Sequence, residues 1–205
     1  MKTNILVKQT YNKIASAYHQ EWGKSSKFFL RNSKKFIQEL PQNAKILDLG
    51  CGTGRDSRWF LEKGFKVIGV DFSSGMLKIA KKNAPKAKFI QKDIRKVNFP
   101  ENYFDGIWCS FVLLHLKRDE ILPLIKRIKK FLRKGGVLFV ATKEGKGEII
   151  EPEHLNEKLK MFETFFQKKE LGDLIKKADY EILKSTIDTD RKESEEKIII
   201  ILAKK

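Results

Sequence analysis

The chain has 205 residues, of which 43 are Lys or Arg and 26 are Asp or Glu, so its formal net charge is +17. This length suffices for one sizeable hydrophobic core and is too short for two ordinary domains. No apolar stretch approaches the roughly twenty residues of a membrane helix, and residues 1–13 are polar and basic, without the apolar core of a signal peptide. We therefore expect a cytoplasmic protein with no membrane partner.

The positive charge has two interpretations, which the sequence leaves open. Lysines outnumber arginines by 35 to 8, and they alternate with apolar positions in segments such as 121–134. This pattern is typical of solvated helix faces, whereas phosphate recognition favours the arginine fork. A nucleic-acid partner stays an alternative because a strongly basic chain attracts phosphates.

The N-terminal part of the chain predicts a helical segment from about residue 4 to residue 39. Its aromatic and aliphatic residues recur at helical spacing: Tyr11, Ile14, Ala15 and Tyr18. A stripe of this kind is typical of a helix that packs on a core. We predict a helical cover over residues 1–40 and a globular domain over residues 41–205.

A short apolar strand near residues 45–49 ends in three glycines at alternate positions, Gly50, Gly52 and Gly54. Glycines let a buried strand turn sharply into a helix whose free amides face a ligand. The dinucleotide fingerprint requires a third glycine where this chain has Arg55. The spacing therefore favours a ligand without a pyrophosphate.

The next apolar strand ends in Asp71. A carboxylate at this position can accept hydrogen bonds from both hydroxyls of a ribose. The two strand ends together predict a nucleoside-containing ligand.

Apolar strand segments alternate with helical segments through the middle of the chain. We predict strands near 45–49, 66–70, 87–91, 104–109 and 137–142, and helices near 54–63, 74–83 and 119–132. This alternation predicts a parallel sheet with right-handed crossovers and a ligand at the carboxyl ends of its strands. A charged loop from Lys143, a helix near 169–177 and two β-rich runs, 180–188 and 197–203, complete the prediction.

Five motifs, in order and spacing, resemble those of the class I, seven-stranded S-adenosylmethionine-dependent methyltransferases. They are the glycine-rich segment 46–55 and the segments 70–77, 89–94, 104–116 and 132–140. Lys134 replaces the proline that is usual in the last of them. The resemblance implies an α/β, three-layer Rossmann-like methyltransferase fold, with a mostly parallel seven-stranded sheet and a C-terminal antiparallel hairpin.

The resemblance also implies S-adenosylmethionine as cofactor, without a metal, and a set of residues that bind it. The glycines Gly50, Gly52 and Gly54 would approach its methionine and ribose, Asp48 its ammonium side and Asp71 its ribose hydroxyls. Phe72, Asp93 and Ile94 would contact the adenine, and Ser110 would close the pocket near the sulfonium. The segment 11–18 resembles a Tyr-x-x-Ile-Ala-x-x-Tyr sequence that folds over the cofactor in many small methyltransferases, so Tyr11 and Tyr18 are candidate contacts as well as candidate core residues.

His115 follows the fourth predicted strand and is the candidate general base. A residue at the edge of the core is the alternative interpretation. Glu144, Glu148 and His154 are weaker candidates in the loop after the fifth strand. Methyl transfer needs mainly alignment and desolvation, and it needs a base only when the nucleophile loses a proton.

The acceptor is predicted to be a small molecule with an oxygen, nitrogen or carbon nucleophile. The fourth strand is followed by Ser110-Phe111-Val112, not by the Asn-Pro-Pro-Tyr motif of enzymes that methylate planar amides and base amines. A methyltransferase of RNA or another macromolecule is one alternative. A non-catalytic, S-adenosylmethionine-binding regulatory protein is the other.

Overall fold

The computed structural model describes residues 3–188 and 196–205. The helices are α1 (Thr3–Trp22), α2 (Lys27–Gln38), α3 (Arg55–Glu62), α4 (Ser74–Asn83), α5 (Arg118–Phe131) and α6 (Lys168–Lys177). The strands are β1 (Lys45–Leu49), β2 (Lys66–Asp71), β3 (Lys88–Gln91), β4 (Phe104–Ser110), β5 (Leu132–Lys143), β6 (Glu148–Glu153), β7 (Asn156–Thr164), β8 (Glu181–Asp188) and β9 (Ile198–Lys204).

Seven of these strands form one sheet in the order β3-β2-β1-β4-β5-β9-β8. The strands β1 to β5 run parallel, and β9 lies antiparallel between β5 and β8. The seven-stranded, mostly parallel sheet with a C-terminal antiparallel hairpin is therefore confirmed.

Helices cover both faces of this sheet. Along β1, Ile46 packs in a cluster with α2 and α3, while Leu47 and Leu49 pack in a second cluster with α5 and α6. In β4, Trp108 belongs to the first cluster and its neighbours belong to the second. Because successive side chains of a strand point to opposite faces, the two clusters lie on opposite sides and make three layers.

The N-terminal segment is two helices instead of one. The side chain of Ser26 caps α2 by accepting a hydrogen bond from the Phe29 amide at 3.1 Å. Phe29 and Phe36 of α2 are fully buried against Trp108. The domain division at residue 40 stays a prediction, and α2 contributes to the main core.

The predicted loop after Lys143 is wrong, because residues 148–164 form a two-stranded antiparallel sheet of β6 and β7. Nearly all of β6 is exposed. Its sequence therefore lacks the alternation of apolar and polar residues that would indicate a half-buried strand. In β7, Met161 and Phe162 pack on Val7 of α1. Their partner is thus a helix far away in the sequence, which local pattern does not indicate.

Most other element bounds lie within two residues of the prediction. The exception is β5, which begins at Leu132 because Leu132 pairs with Phe104 of β4. The register then shifts, and the next pair is Gly106 with Val137. None of the helices in residues 3–188 and 196–205 combines the length and the apolar character that crossing a membrane requires.

Candidate cofactor and acceptor site

A cavity lies at the carboxyl ends of the parallel strands, beneath α1. Ten of the fifteen candidate site residues predicted from the sequence line it: Tyr11, Tyr18, Gly50, Gly52, Asp71, Phe72, Asp93, Ile94, Ser110 and His115. Asp48 and Gly54 lie behind its wall. The topology therefore brings together residues that are up to 104 positions apart in the chain.

The cavity is small, with a volume of about 80 Å³. Ligand pockets in proteins usually have volumes of about 300–1,000 Å³. α1 closes the cavity from above, since Tyr11 and Tyr18 are part of its lining. A more open cavity of about 520 Å³ adjoins it along α1 and shares Phe72 and Asp93 with it.

The three glycines of the loop differ in what surrounds them. All three have a positive φ, which L side chains rarely adopt. A Cβ atom on Gly50 would lie 2.4 Å from Val112, and one on Gly54 would lie 3.0 Å from the Cα of Ala80 in α4. A Cβ atom on Gly52 would have no atom within 4 Å. Gly52 therefore faces the cavity, whereas Gly54 allows α4 to pack closely on the loop.

Asp71 is 8% exposed and lies at the cavity wall. Its carboxylate accepts hydrogen bonds from the amides of Gly52 at 3.0 Å and Ser73 at 2.8 Å. Burial raises the pKa of Asp71 to about 6, against the opposing effect of these amides. The amides fix the carboxylate while leaving it acceptor capacity for further donors.

Asp93 lines the cavity next to Arg95, which sequence analysis did not single out. Nε of Arg95 donates to Asp93 at 2.9 Å, and its guanidinium also pairs with Glu120 at 2.5 Å. Burial favours a higher pKa for Asp93, but the hydrogen bonds and the charge of Arg95 outweigh it and lower the pKa. The carboxylate predicted to bind the adenine amine is thus held by an arginine.

Asp48 belongs to a buried network beneath the glycine loop. It is 2% exposed and accepts a hydrogen bond from Ser57 Oγ at 2.6 Å. Burial and the neighbouring Asp56 raise its pKa. Asp56 in turn accepts from Trp108 Nε1 at 2.7 Å and from Arg55 Nε at 2.5 Å. These contacts support the loop from behind, and the predicted role of Asp48 toward the cofactor's ammonium group stays a prediction.

His115 lines the same cavity and contacts both α1 and β7. Its Nδ1 lies 3.1 Å from the carbonyl oxygen of Phe162 in β7, and its Nε2 lies 2.6 Å from the hydroxyl of Tyr11. A carbonyl only accepts, so the proton is assigned to Nδ1, and Nε2 accepts from Tyr11. Burial lowers the pKa of His115 to about 4. The imidazole is therefore neutral at physiological pH, with its lone pair directed at Tyr11.

The weaker base candidates lie outside the cavity lining. Glu148 accepts from the Arg118 amide at 2.8 Å. His154 has a side chain that is 64% exposed and lies 2.9 Å from Glu153.

Phe111 is a further lining residue that sequence analysis missed as a site residue. Its φ of 55° is unusual for a bulky side chain, and its amide donates to the Ala141 carbonyl at 2.8 Å. The segment after β4 thus turns sharply between Ser110 and Val112, which both line the cavity. No residue type in this segment signals that turn.

Comparison with known families matches the segment that carries most of the five motifs. Residues 46–136 match the family model of a methyltransferase domain. This segment, which is less than half of the chain, is similar to that family. This match agrees with the family that the five motifs predicted.

Relatives of this methyltransferase domain have different acceptors in their names. The demethylmenaquinone methyltransferase of Renibacterium salmoninarum is 34% identical over 97 residues, which are 47% of this chain and 40% of that protein. The phosphoethanolamine N-methyltransferase of Plasmodium falciparum is 32% identical over 117 residues, which are 54% of this chain and 44% of that protein. The chain thus matches less than half the length of these relatives.

A solved structure agrees with the fold over nearly the whole chain. It is the 1,6-didemethyltoxoflavin-N1-methyltransferase of Burkholderia thailandensis, determined with S-adenosylhomocysteine and its substrate bound. The TM-score is 0.74 at 23% identity, and the alignment covers 96% of this chain and 87% of that one. The likeness confirms the methyltransferase fold.

Proposed function

We propose that this protein transfers a methyl group from S-adenosylmethionine to a small molecule with an oxygen, nitrogen or carbon nucleophile, in the cytoplasm. The observation that carries the proposal is that His115, whose unprotonated Nε2 accepts a hydrogen bond from Tyr11, lines the same cavity as Gly52 and Asp71. The cavity thus combines groups that suit a nucleoside with a proton acceptor.

The residues of the cavity fit the cofactor. Gly52 leaves open space where any other residue would place a Cβ atom, and the buried carboxylate of Asp71 is suited to two ribose hydroxyls. Phe72 and Ile94 offer apolar surface for the adenine. When bound, S-adenosylmethionine supplies a methyl group on a positively charged sulfur, which is a good leaving group. The side chains need to align the acceptor and to exclude water.

His115 is the proposed proton acceptor. With a pKa of about 4, it does not remove a proton from a resting hydroxyl or ammonium group. It can take the proton that a nucleophile loses as its new bond to carbon forms, because that proton becomes strongly acidic at this moment. Tyr11 donates a hydrogen bond to Nε2 in the free protein. A hydroxyl or amine group of the methyl acceptor that replaces the Tyr11 hydroxyl donates the same hydrogen bond.

The enclosure beneath α1 supports a small acceptor. The cavity is roofed by Tyr11 and Tyr18, and β7 flanks it through Phe162, whose carbonyl holds His115. The names of the relatives suggest two probes, phosphoethanolamine and a soluble demethylmenaquinone analogue.

Formation of S-adenosylhomocysteine tests the proposal. The purified protein is incubated with S-adenosylmethionine and either the two probes, the low-molecular-mass fraction of a cell extract, or its RNA fraction. We expect turnover with a small-molecule sample, and His115→Gln should retain cofactor binding while turnover falls by about 10²–10⁴-fold. Methylation confined to the RNA fraction, or cofactor binding without turnover in any sample, would contradict the proposal.

The macromolecular alternative rests on the net charge of +17. A nucleic-acid substrate would bind with a steep dependence on salt concentration, because phosphate contacts release counterions. RNA binding that does not change with salt would leave the lysines as solvated surface.

A further inference from the structure

Asn12, on α1, contacts the N-terminus of α4. Its side-chain Oδ1 lies 2.8 Å from Ser73 Oγ, 3.3 Å from Ser74 Oγ and 3.0 Å from the amide nitrogen of Gly75. The Gly75 amide can only donate, so the atom that faces α4 is the oxygen of Asn12. One side chain of α1 thus accepts three hydrogen bonds from the start of α4.

The backbones of the two helices also meet at this point. A Cβ atom on Gly75 would lie 2.8 Å from the carbonyl oxygen of Asn12 and 3.1 Å from its Cα. Both are backbone atoms, which cannot turn away as a flexible side chain could. α1 can approach α4 this closely only because residue 75 is a glycine.

Ser73 connects this contact to the proposed ribose site. It is fully buried and caps α4, where its Oγ accepts from the Met76 amide at 3.1 Å and donates to Asn12. Its own amide donates to Asp71 Oδ1 at 2.8 Å. Ser73 is therefore held by Asn12 on one side and holds Asp71 on the other.

We infer that Asn12 is a positioning residue for Asp71, so that docking of α1 on α4 orients the carboxylate that receives the ribose. The inference rests on the proposed function, which assigns the ribose to Asp71. Docking of α1 and binding of the cofactor then favour each other, since a coupling between two sites is reciprocal. α1 contributes to affinity through α4 as well as by covering the cavity.

Binding of S-adenosylhomocysteine to the full chain, measured by calorimetry, tests the inference. Asn12→Ala removes the acceptor of three hydrogen bonds, and we expect its affinity to fall about tenfold. Asn12→Asp keeps an oxygen at the helix N-terminus, where Asp and Asn are equally good caps, so its affinity should be close to that of the wild type. Ser16→Ala, at an exposed position of the same helix, is the matched control and should bind as the wild type does.

A double-mutant cycle separates positioning from simple structural support. If Asn12 acts through Asp71, Asn12→Ala should lower affinity less than about twofold in an Asp71→Asn background, because the carboxylate that it positions is already lost. Equal effects of Asn12→Ala in both backgrounds would overturn the inference. Gly75→Ala provides an independent variant, since its methyl group displaces α1 while alanine favours the helix, and it should show the same non-additivity with Asp71→Asn.

The two proposals fail in different ways. A wild-type protein that does not bind S-adenosylhomocysteine would overturn the proposed function. A wild-type protein that binds it, together with an Asn12→Ala variant of unchanged affinity, would overturn only the role of Asn12.

Discussion

Alanine substitutions at Gly52 and Gly54 form a matched pair that tests how the glycine loop works. Both residues have a positive φ, 52° and 78°, so each alanine costs about 1–2 kcal/mol for a left-handed backbone. At Gly54 the new methyl group would also lie 3.0 Å from the Cα and the Cβ of Ala80. Overpacking of this kind costs a further about 1–3 kcal/mol. At Gly52 the methyl group meets no protein atom.

Gly54→Ala should therefore lose more of the free energy of unfolding, and Gly52→Ala should lose more of the affinity for S-adenosylhomocysteine. In urea titrations we expect Gly52→Ala to lose about 1–2 kcal/mol and Gly54→Ala to lose about 2–5 kcal/mol. In calorimetry we expect Gly52→Ala to lose at least about tenfold in affinity, since its methyl group occupies space at the cavity wall. Gly54→Ala, measured well below its melting temperature, should retain most of its affinity because its methyl group points toward α4.

Two results would refute this reasoning. Equal losses of stability in the two variants would show that the contact with Ala80 relaxes at little cost. Unchanged affinity in Gly52→Ala would show that the cofactor does not approach this glycine, and the proposed orientation of the cofactor would then be wrong.

Three further predictions follow from charges and contacts around the site. Affinity for S-adenosylhomocysteine should be constant at neutral pH and should fall as the pH drops through about 6, because Asp71 must be ionised to accept two ribose hydroxyls; Asp71→Asn should bind more weakly and without this pH dependence. The raised pKa of Asp48 means that its stabilising contribution is present at acid pH and is lost as the pH rises. Between about pH 5 and about pH 8, the free energy of unfolding should therefore fall less in Asp48→Asn than in the wild type. An equal fall in both proteins would contradict this. Amide hydrogen exchange in residues 3–22 should be fast in the free protein and markedly slower with S-adenosylhomocysteine, since Tyr11 and Tyr18 of α1 line the cavity that would hold the ligand. Equal protection in both states would make α1 a fixed part of the core.

The sequence predicts the sheet well because its information is local. β1 and α4 have the predicted bounds, since an apolar run before glycines and a helix start after Ser73 are encoded in adjacent residues. The carboxyl ends of the strands then bring Asp71 and Gly52 together without further information.

The parts that the sequence does not predict depend on distant partners. The strand β7 packs on Val7, and His115 is held by Phe162 and Tyr11. Neither pairing leaves a pattern in the neighbouring residues. The sequence also does not predict the ion pair of Asp93 with Arg95. The side chain of an aspartate two residues before an arginine can contact either that arginine or a ligand, and the spacing does not decide between them.

The two-stranded sheet of β6 and β7 has a consequence for how such proteins diversify. Glu144, just before β6, pairs with Phe166, just after β7. The two-stranded sheet is therefore an insertion whose two ends lie next to each other. The part of the chain that matches the family model stops at residue 136, before this insertion begins. Exchanging residues 145–165 would thus replace the strand whose Phe162 carbonyl contacts His115, while the seven strands keep their pairing. The contact that holds His115 and the strand ends that carry Gly52 and Asp71 thus belong to separable pieces of one chain.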